Sequence, residues 1–113
     1  MHPDSFGPED FRQAFQRIRH QLSERQCDML RAHYNAPDRK ITAKQLAGAV
    51  GSPNYKTANS TYGKIGSLLC EILGQEPGHI KLFVLVNFFR PENEYIWQMR
   101  EPAAQALKEL GMV

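Results

Sequence analysis

Thr42-Ala43-Lys44-Gln45-Leu46-Ala47-Gly48-Ala49-Val50-Gly51, the turn Ser52-Pro53-Asn54, and the run Tyr55-Lys56-Thr57-Ala58-Asn59-Ser60-Thr61-Tyr62 together decide how this chain is read. Thr42 and Gln45 have the spacing of a capping box, in which each side chain satisfies the other residue's otherwise orphaned backbone N–H. Leu46, Ala47 and Val50 supply the inward face of a short helix, and Gly51 ends it. Beyond the turn, Tyr55, Ala58, Tyr62, Ile65, Leu69 and Ile72 recur at three- and four-residue steps, which predicts a longer helix closed by Gly74. The opposite side of that helix carries Lys56, Asn59, Ser60, Gly63, Lys64 and Ser67, all polar or small. A short helix, a tight turn and a longer helix form the helix-turn-helix pattern, with Ala47 small where the two helices cross.

Towards the N-terminus the same periodicity predicts two more helices. Pro8 suits a first helical position, Glu9 and Asp10 favour the positive end of the helix dipole, and Phe11, Phe15, Ile18 and Leu22 form one apolar stripe. Ser23 with Gln26 is a second capping box, opening a helix that is expected to bury Cys27, Leu30 and Tyr34 and to stop near Pro37. Towards the C-terminus the period changes. Leu82–Phe89 and Tyr95–Met99 are rich in β-branched and aromatic residues, so they predict a hairpin closed by Arg90–Glu94. Pro102 then opens a last helix lined by Ala103, Ala106, Leu107 and Leu110. The predicted class is mainly α with a β-hairpin (α+β), in the order α-α-α-α-β-β-α, which is winged helix-turn-helix-like.

A chain of 113 residues and 12.9 kDa has room for one core, so residues 1–113 are read as a single domain with a flexible start over residues 1–7. The longest apolar run, Leu82–Val86, is far too short for a bilayer span, and the N-terminus has no secretory pattern. A cytoplasmic protein with no membrane partner is expected. Cys27 and Cys70 stand apart with no C-x-x-C spacing, and they read as free thiols.

The net charge of +2 conceals a segregation. Arg39, Lys40, Lys44, Lys56 and Lys64 give five positive charges over the 32 residues from Arg39 to Cys70, with no acidic residue among them, whereas the remainder holds nine basic and twelve acidic residues. A polyanion is attracted by local positive charge, so this pattern points to DNA, although the same charges would also suit a solvated face. The expected DNA-binding set is Arg39, Lys40, Lys44, Ser52, Asn54, Tyr55, Lys56, Thr57, Asn59, Ser60, Lys64 and Arg90. Within it Asn59 is the candidate base reader, because a carboxamide can donate and accept together against adenine. Lys56 and Lys64 suit phosphates, and Arg39, Lys40 and Lys44 are expected to hold the backbone. Gly63 and Gly66 each weaken a helix, which suggests a close approach to DNA or to a neighbouring helix. Trp97 reads either as core or as a stacking platform for an exposed base.

Catalytic patterns are missing. His2, His20, His33 and His79 show no zinc spacing, Gly74 and Gly78 do not belong to a phosphate-binding loop, and the carboxylates form no paired motif. His33 is expected to cap the last carbonyls of its own helix. No enzyme activity, metal or cofactor is expected. The competing reading is a protein-interaction or dimerisation module, built on the aromatic set Phe83, Phe88, Phe89, Tyr95 and Trp97 together with the C-terminal helix.

Leu30-Arg31-Ala32-His33-Tyr34-Asn35-Ala36-Pro37, Ile41-Thr42-Ala43-Lys44-Gln45-Leu46-Ala47, Asn54-Tyr55, Ala58-Asn59 and Tyr62-Gly63-Lys64 resemble a domain found beside HNH nucleases in bacterial restriction-type proteins. Looser likeness extends to Trp97-Gln98-Met99-Arg100 and to Ala106-Leu107 with Leu110-Gly111. The resemblance implies target recognition on double-stranded DNA, modified DNA included, with a nuclease partner cutting. This chain has no HNH-like histidine and asparagine cluster, so cleavage does not carry over.

Overall fold

The computed structural model describes residues 6–74 and 84–113. Helices α1 (Pro8–Ile18), α2 (Glu24–Tyr34), α3 (Ala43–Ala49), α4 (Lys56–Leu73) and α5 (Glu101–Glu109) are joined by strands β1 (Lys40–Thr42), β2 (Val86–Phe89) and β3 (Ile96–Met99). The class is α+β: mainly helical, with one antiparallel sheet in the order β1-β3-β2. None of the described helices is long and apolar enough to cross a membrane.

The caps fall where the sequence places them. Ser23 Oγ accepts from the Gln26 backbone N–H while the Gln26 side chain accepts from that of Ser23, and Thr42 and Gln45 repeat the exchange at the start of α3. Gly74 closes α4 in the left-handed region at φ 74°, which costs glycine nothing.

Helix α1 buries Phe11, Ala14, Phe15 and Ile18 against α5 and α4, and α3 packs on α4. The flexible start expected over residues 1–7 lies outside the described residues as far as residue 5. Of the other two, Phe6 is buried with its ring edge-on to Phe11, and the Gly7 N–H donates to Asp10 at 2.9 Å.

Strand β1 does not appear in the predicted order. Its Ile41 faces Trp97 on β3, and Trp97 also faces Phe88 on β2, so one inward row crosses all three strands. The expected strand Leu82–Phe89 is realised over Val86–Phe89, and its first two residues, like the turn around Pro77, lie outside the described residues. Ile72, read as core, is exposed in the last turn of α4, and Cys27 is only half-buried.

His33 departs most from the sequence reading. It is fully buried and caps carbonyls of other elements rather than those of its own helix. Nε2 lies 2.9 Å from the carbonyls of both Arg39 and Trp97. A carbonyl only accepts, so Nε2 carries the proton and Nδ1 accepts from the Tyr62 hydroxyl at 2.9 Å. Burial pushes the imidazole down to about 4 against the opposing effect of the two carbonyls, and it pushes the Tyr62 phenol well above its ordinary value.

The same contacts hold an unusual bend. Asp38 and Arg39 sit consecutively at φ 55° and 60°, each straining a side chain with a Cβ by about 1 kcal/mol. Four bonds oppose that strain. The Arg39 N–H donates to the Ala36 carbonyl, the Arg39 guanidinium donates to that of Tyr34, Gln98 donates to that of Asp38, and His33 holds that of Arg39.

Candidate nucleic-acid interface

Helix α4 is two-faced. Ala58, Thr61, Tyr62, Ile65, Gly66, Leu69 and Cys70 are buried, while Lys56, Asn59, Ser60 and Lys64 are exposed. Three depressions adjoin on that exposed side. The first, about 630 Å³, runs along Asn59, Gly63, Lys64 and Ser67 towards Gln21 and Gln26. The second, about 400 Å³, lies between the start of α2 and the start of α4, and it is lined by Ser23, Arg25, Asn54, Lys56, Ser60 and Lys64. The third, about 480 Å³, lies between α4 and the hairpin, with Lys44 and Asn59 on one side and Phe88, Tyr95 and Trp97 on the other. Asn59 borders the first and third, and Ser60 and Lys64 border the first and second.

Among the described residues, Arg25, Lys44, Lys56 and Lys64 form no ion pair. Two carboxylates, Glu71 and Glu94, line the first and third depressions, and the second is lined by cations and neutral polar groups alone. Arg25 was not legible as part of this face. It precedes the carboxylate-free segment by fourteen residues and reaches the site only because α2 starts beside α4.

The other expected contacts divide into two groups. Ser52, Asn54 and Thr57 build the turn that aims α4: Asn54 Oδ1 accepts from the Lys56 N–H at 2.9 Å, and the Ser52 and Thr57 hydroxyls bond at 2.7 Å. Tyr55 is 52% exposed beside them and lines the third depression. Arg39 is not turned to this face. Its guanidinium lies 4.0 Å from the centre of the Tyr34 ring, donates to the Tyr34 carbonyl at 2.8 Å, and comes within 3.8 Å of Glu101, so it closes α2 instead of offering charge to a backbone. Lys40 and Arg90 cover rings of the hairpin, with Lys40 Nζ over Phe89 at 5.5 Å and Arg90 over Tyr95 at 5.1 Å.

Trp97 is core, 2% exposed, but one edge of it reaches the third depression. It belongs to a ladder of rings at centroid distances of 5.7 Å (His33–Tyr62), 5.7 Å (Tyr62–Trp97), 5.2 Å (Trp97–Phe88) and 5.9 Å (Phe88–Tyr95). Such offset and tilted pairs fix the hairpin relative to α4, so the walls of the depression are held from within.

At Gly63 one of the two expected close approaches, that of a neighbouring helix, does not occur. A Cβ built there meets nothing within 4 Å, so no neighbouring helix demands glycine at this position. Gly63→Ala is therefore expected to stabilise the fold by about 0.5–1 kcal/mol in urea denaturation, through helix propensity and a stiffer unfolded chain. A loss of stability would contradict the open space seen at this position.

No group of three His, Cys, Asp or Glu side chains placed to hold a metal occurs among the described residues. The chain matches no protein-family model, no curated protein and no solved structure.

Proposed function

We propose that the chain is a winged-helix DNA-binding domain, with α3 as the positioning helix, α4 as the helix that enters the major groove, and the β2–β3 hairpin as the wing. The observation that carries this reading is the exposed face of α4, where Lys56, Asn59, Ser60 and Lys64 are flanked by Arg25 and Lys44, neither of which forms an ion pair among the described residues. Strand order supports it: β1 precedes α3 and pairs with β3, as a winged helix requires for its sheet to brace the helix pair. The residues in this role are Lys44, Tyr55, Lys56, Asn59, Ser60 and Lys64, with Arg25 added, Lys40 and Arg90 at the edge, and Arg39 left out. The resemblance to domains beside HNH nucleases adds the setting of a bacterial restriction or defence protein, in which this part finds the target and another part cuts it.

Of the aromatic set behind the dimerisation reading, Phe83 lies outside the described residues, Trp97 is core and Phe88 is half-buried, which leaves Phe89 and Tyr95 at 42% and 51% exposed. Each carries a cation over its ring, so neither offers a bare apolar surface to a partner.

Titrating a mixed-sequence duplex at several salt concentrations tests the proposal. Four phosphate contacts, from Arg25, Lys44, Lys56 and Lys64, predict that log K falls with log salt at a slope of about −3 to −4. Absent or salt-insensitive binding would end this reading.

A further inference from the structure

The third depression offers more than the phosphate contact of Lys44 at its wall, because four rings line it beside that single cation. We infer that the cavity between α4 and the hairpin receives a single unstacked nucleobase carrying an exocyclic amino group. This inference rests on the DNA-binding reading above and names a ligand for one part of that face.

Size comes first. About 480 Å³ lies within the range of sites that enclose a small planar ligand, and it far exceeds what a methyl group or a side-chain tip would fill. The walls are Tyr55, Phe88, Tyr95 and the edge of Trp97, and any base can stack on such rings irrespective of its sequence. Phe88 lies at 22° to Trp97 and at 51° to Tyr95, so the rings form a corner, not a flat sheet.

The polar groups narrow the ligand class. Asn59, Asn93 and Glu94 also line the cavity, and among the described residues no hydrogen bond engages their side chains. A carboxylate only accepts, so Glu94 favours an amino group such as N4 of cytosine or N6 of adenine, and the two carboxamides can meet a ring nitrogen beside it. Thymine has no amino group to offer. A cationic guest is disfavoured by Lys44 on the wall and by Arg90, which already covers Tyr95. The same cations suit a base whose phosphates stay outside.

Trp97 is the single tryptophan of the chain and lines this cavity, so its fluorescence is the readout, with Tyr95→Ala separating an effect in the cavity from one on the core around Trp97. The experiment compares a fully paired duplex with one carrying adenine or cytosine opposite an abasic position, where unstacking is cheap. The unpaired base is expected to raise affinity roughly tenfold and to quench Trp97, with thymine giving a smaller gain. Tyr95→Ala and Glu94→Ala are expected to reduce that ratio to near one. Salt-dependent duplex binding with no gain from the unpaired base, or a gain untouched by Tyr95→Ala, overturns the cavity proposal and leaves the DNA-binding reading standing. Should no duplex bind, free deoxyadenosine and deoxycytidine decide. Saturable quenching of Trp97 that is lost in Tyr95→Ala sustains the cavity for a free nucleoside, and no quenching overturns it.

Discussion

His33→Leu is expected to destabilise the fold by about 3 kcal/mol or more, a large fraction of the 5–15 kcal/mol that holds a domain of this size together. Leucine fills similar space, so the loss is not one of packing. What disappears is the proton shared between the Arg39 and Trp97 carbonyls and the acceptor for the Tyr62 hydroxyl, which leaves two buried polar groups and one part-buried carbonyl without that partner. The strained pair Asp38–Arg39 loses one of its restraints at the same time.

The same residue sets a pH dependence of determined sign. In the folded chain the imidazole titrates at about 4, against 6.5 for an unperturbed histidine, so between those values the unfolded chain binds the extra proton. His33 therefore contributes full stability above about pH 6.5, and this is lost progressively as the pH falls towards 4, by about 3 kcal/mol over the window. His33→Gln provides the control, because its amide offers a donor and an acceptor but does not titrate. Urea denaturation at neutral pH and near pH 4.5 should show a steep loss for the wild type and a much shallower one for His33→Gln. An identical slope in both would remove the assignment of this acid sensitivity to His33.

Local signals in the sequence account for most of the helical frame. Two capping boxes, a proline at each of two helix starts and a glycine at the end of α4 act within a few residues of themselves, so spacing alone places them. Strand β1 escaped because Lys40-Ile41-Thr42 is too short to alternate visibly, and it is a strand only through its pairing with residues some 56 positions away. His33 escaped for the same reason: nothing near it in sequence announces a hydroxyl from Tyr62 or a carbonyl from Trp97. Ile72 continues the apolar period of α4 one turn beyond its cover, and periodicity carries no information about where packing stops. The polar face of α4 was legible because a single helix presents it. The aromatic cavity was not, since it draws on α3, the start of α4, β2 and the hairpin loop at once. Arg39 shows the opposite failure. Its charge is counted in the basic segment, but its backbone turns the side chain onto Tyr34.

That distinction between counted and presented charge is where the largest functional effect is expected. Lys56→Ala with Lys64→Ala should lower affinity for every duplex alike and make the slope of log K against log salt shallower by about two, because each lysine neutralises one phosphate. Both side chains are exposed on the face of α4 and, among the described residues, take part in no ion pair, so stability should stay within about 0.5 kcal/mol of the wild type. Arg39→Ala should do the reverse: its guanidinium closes α2 through the Tyr34 carbonyl, so stability falls while the salt slope is unchanged. Asn59→Ala should separate from both, keeping the slope but relaxing the preference at one base position by about 1–3 kcal/mol, as expected when a bidentate carboxamide is removed. Competition titrations against a panel of duplexes at two salt concentrations distinguish the three. If Arg39→Ala flattens the slope as the lysine pair does, the assignment of the binding face to α4 and the start of α2 fails, and the polyanion must approach from the side of Tyr34 and Glu101, where Arg39 lies.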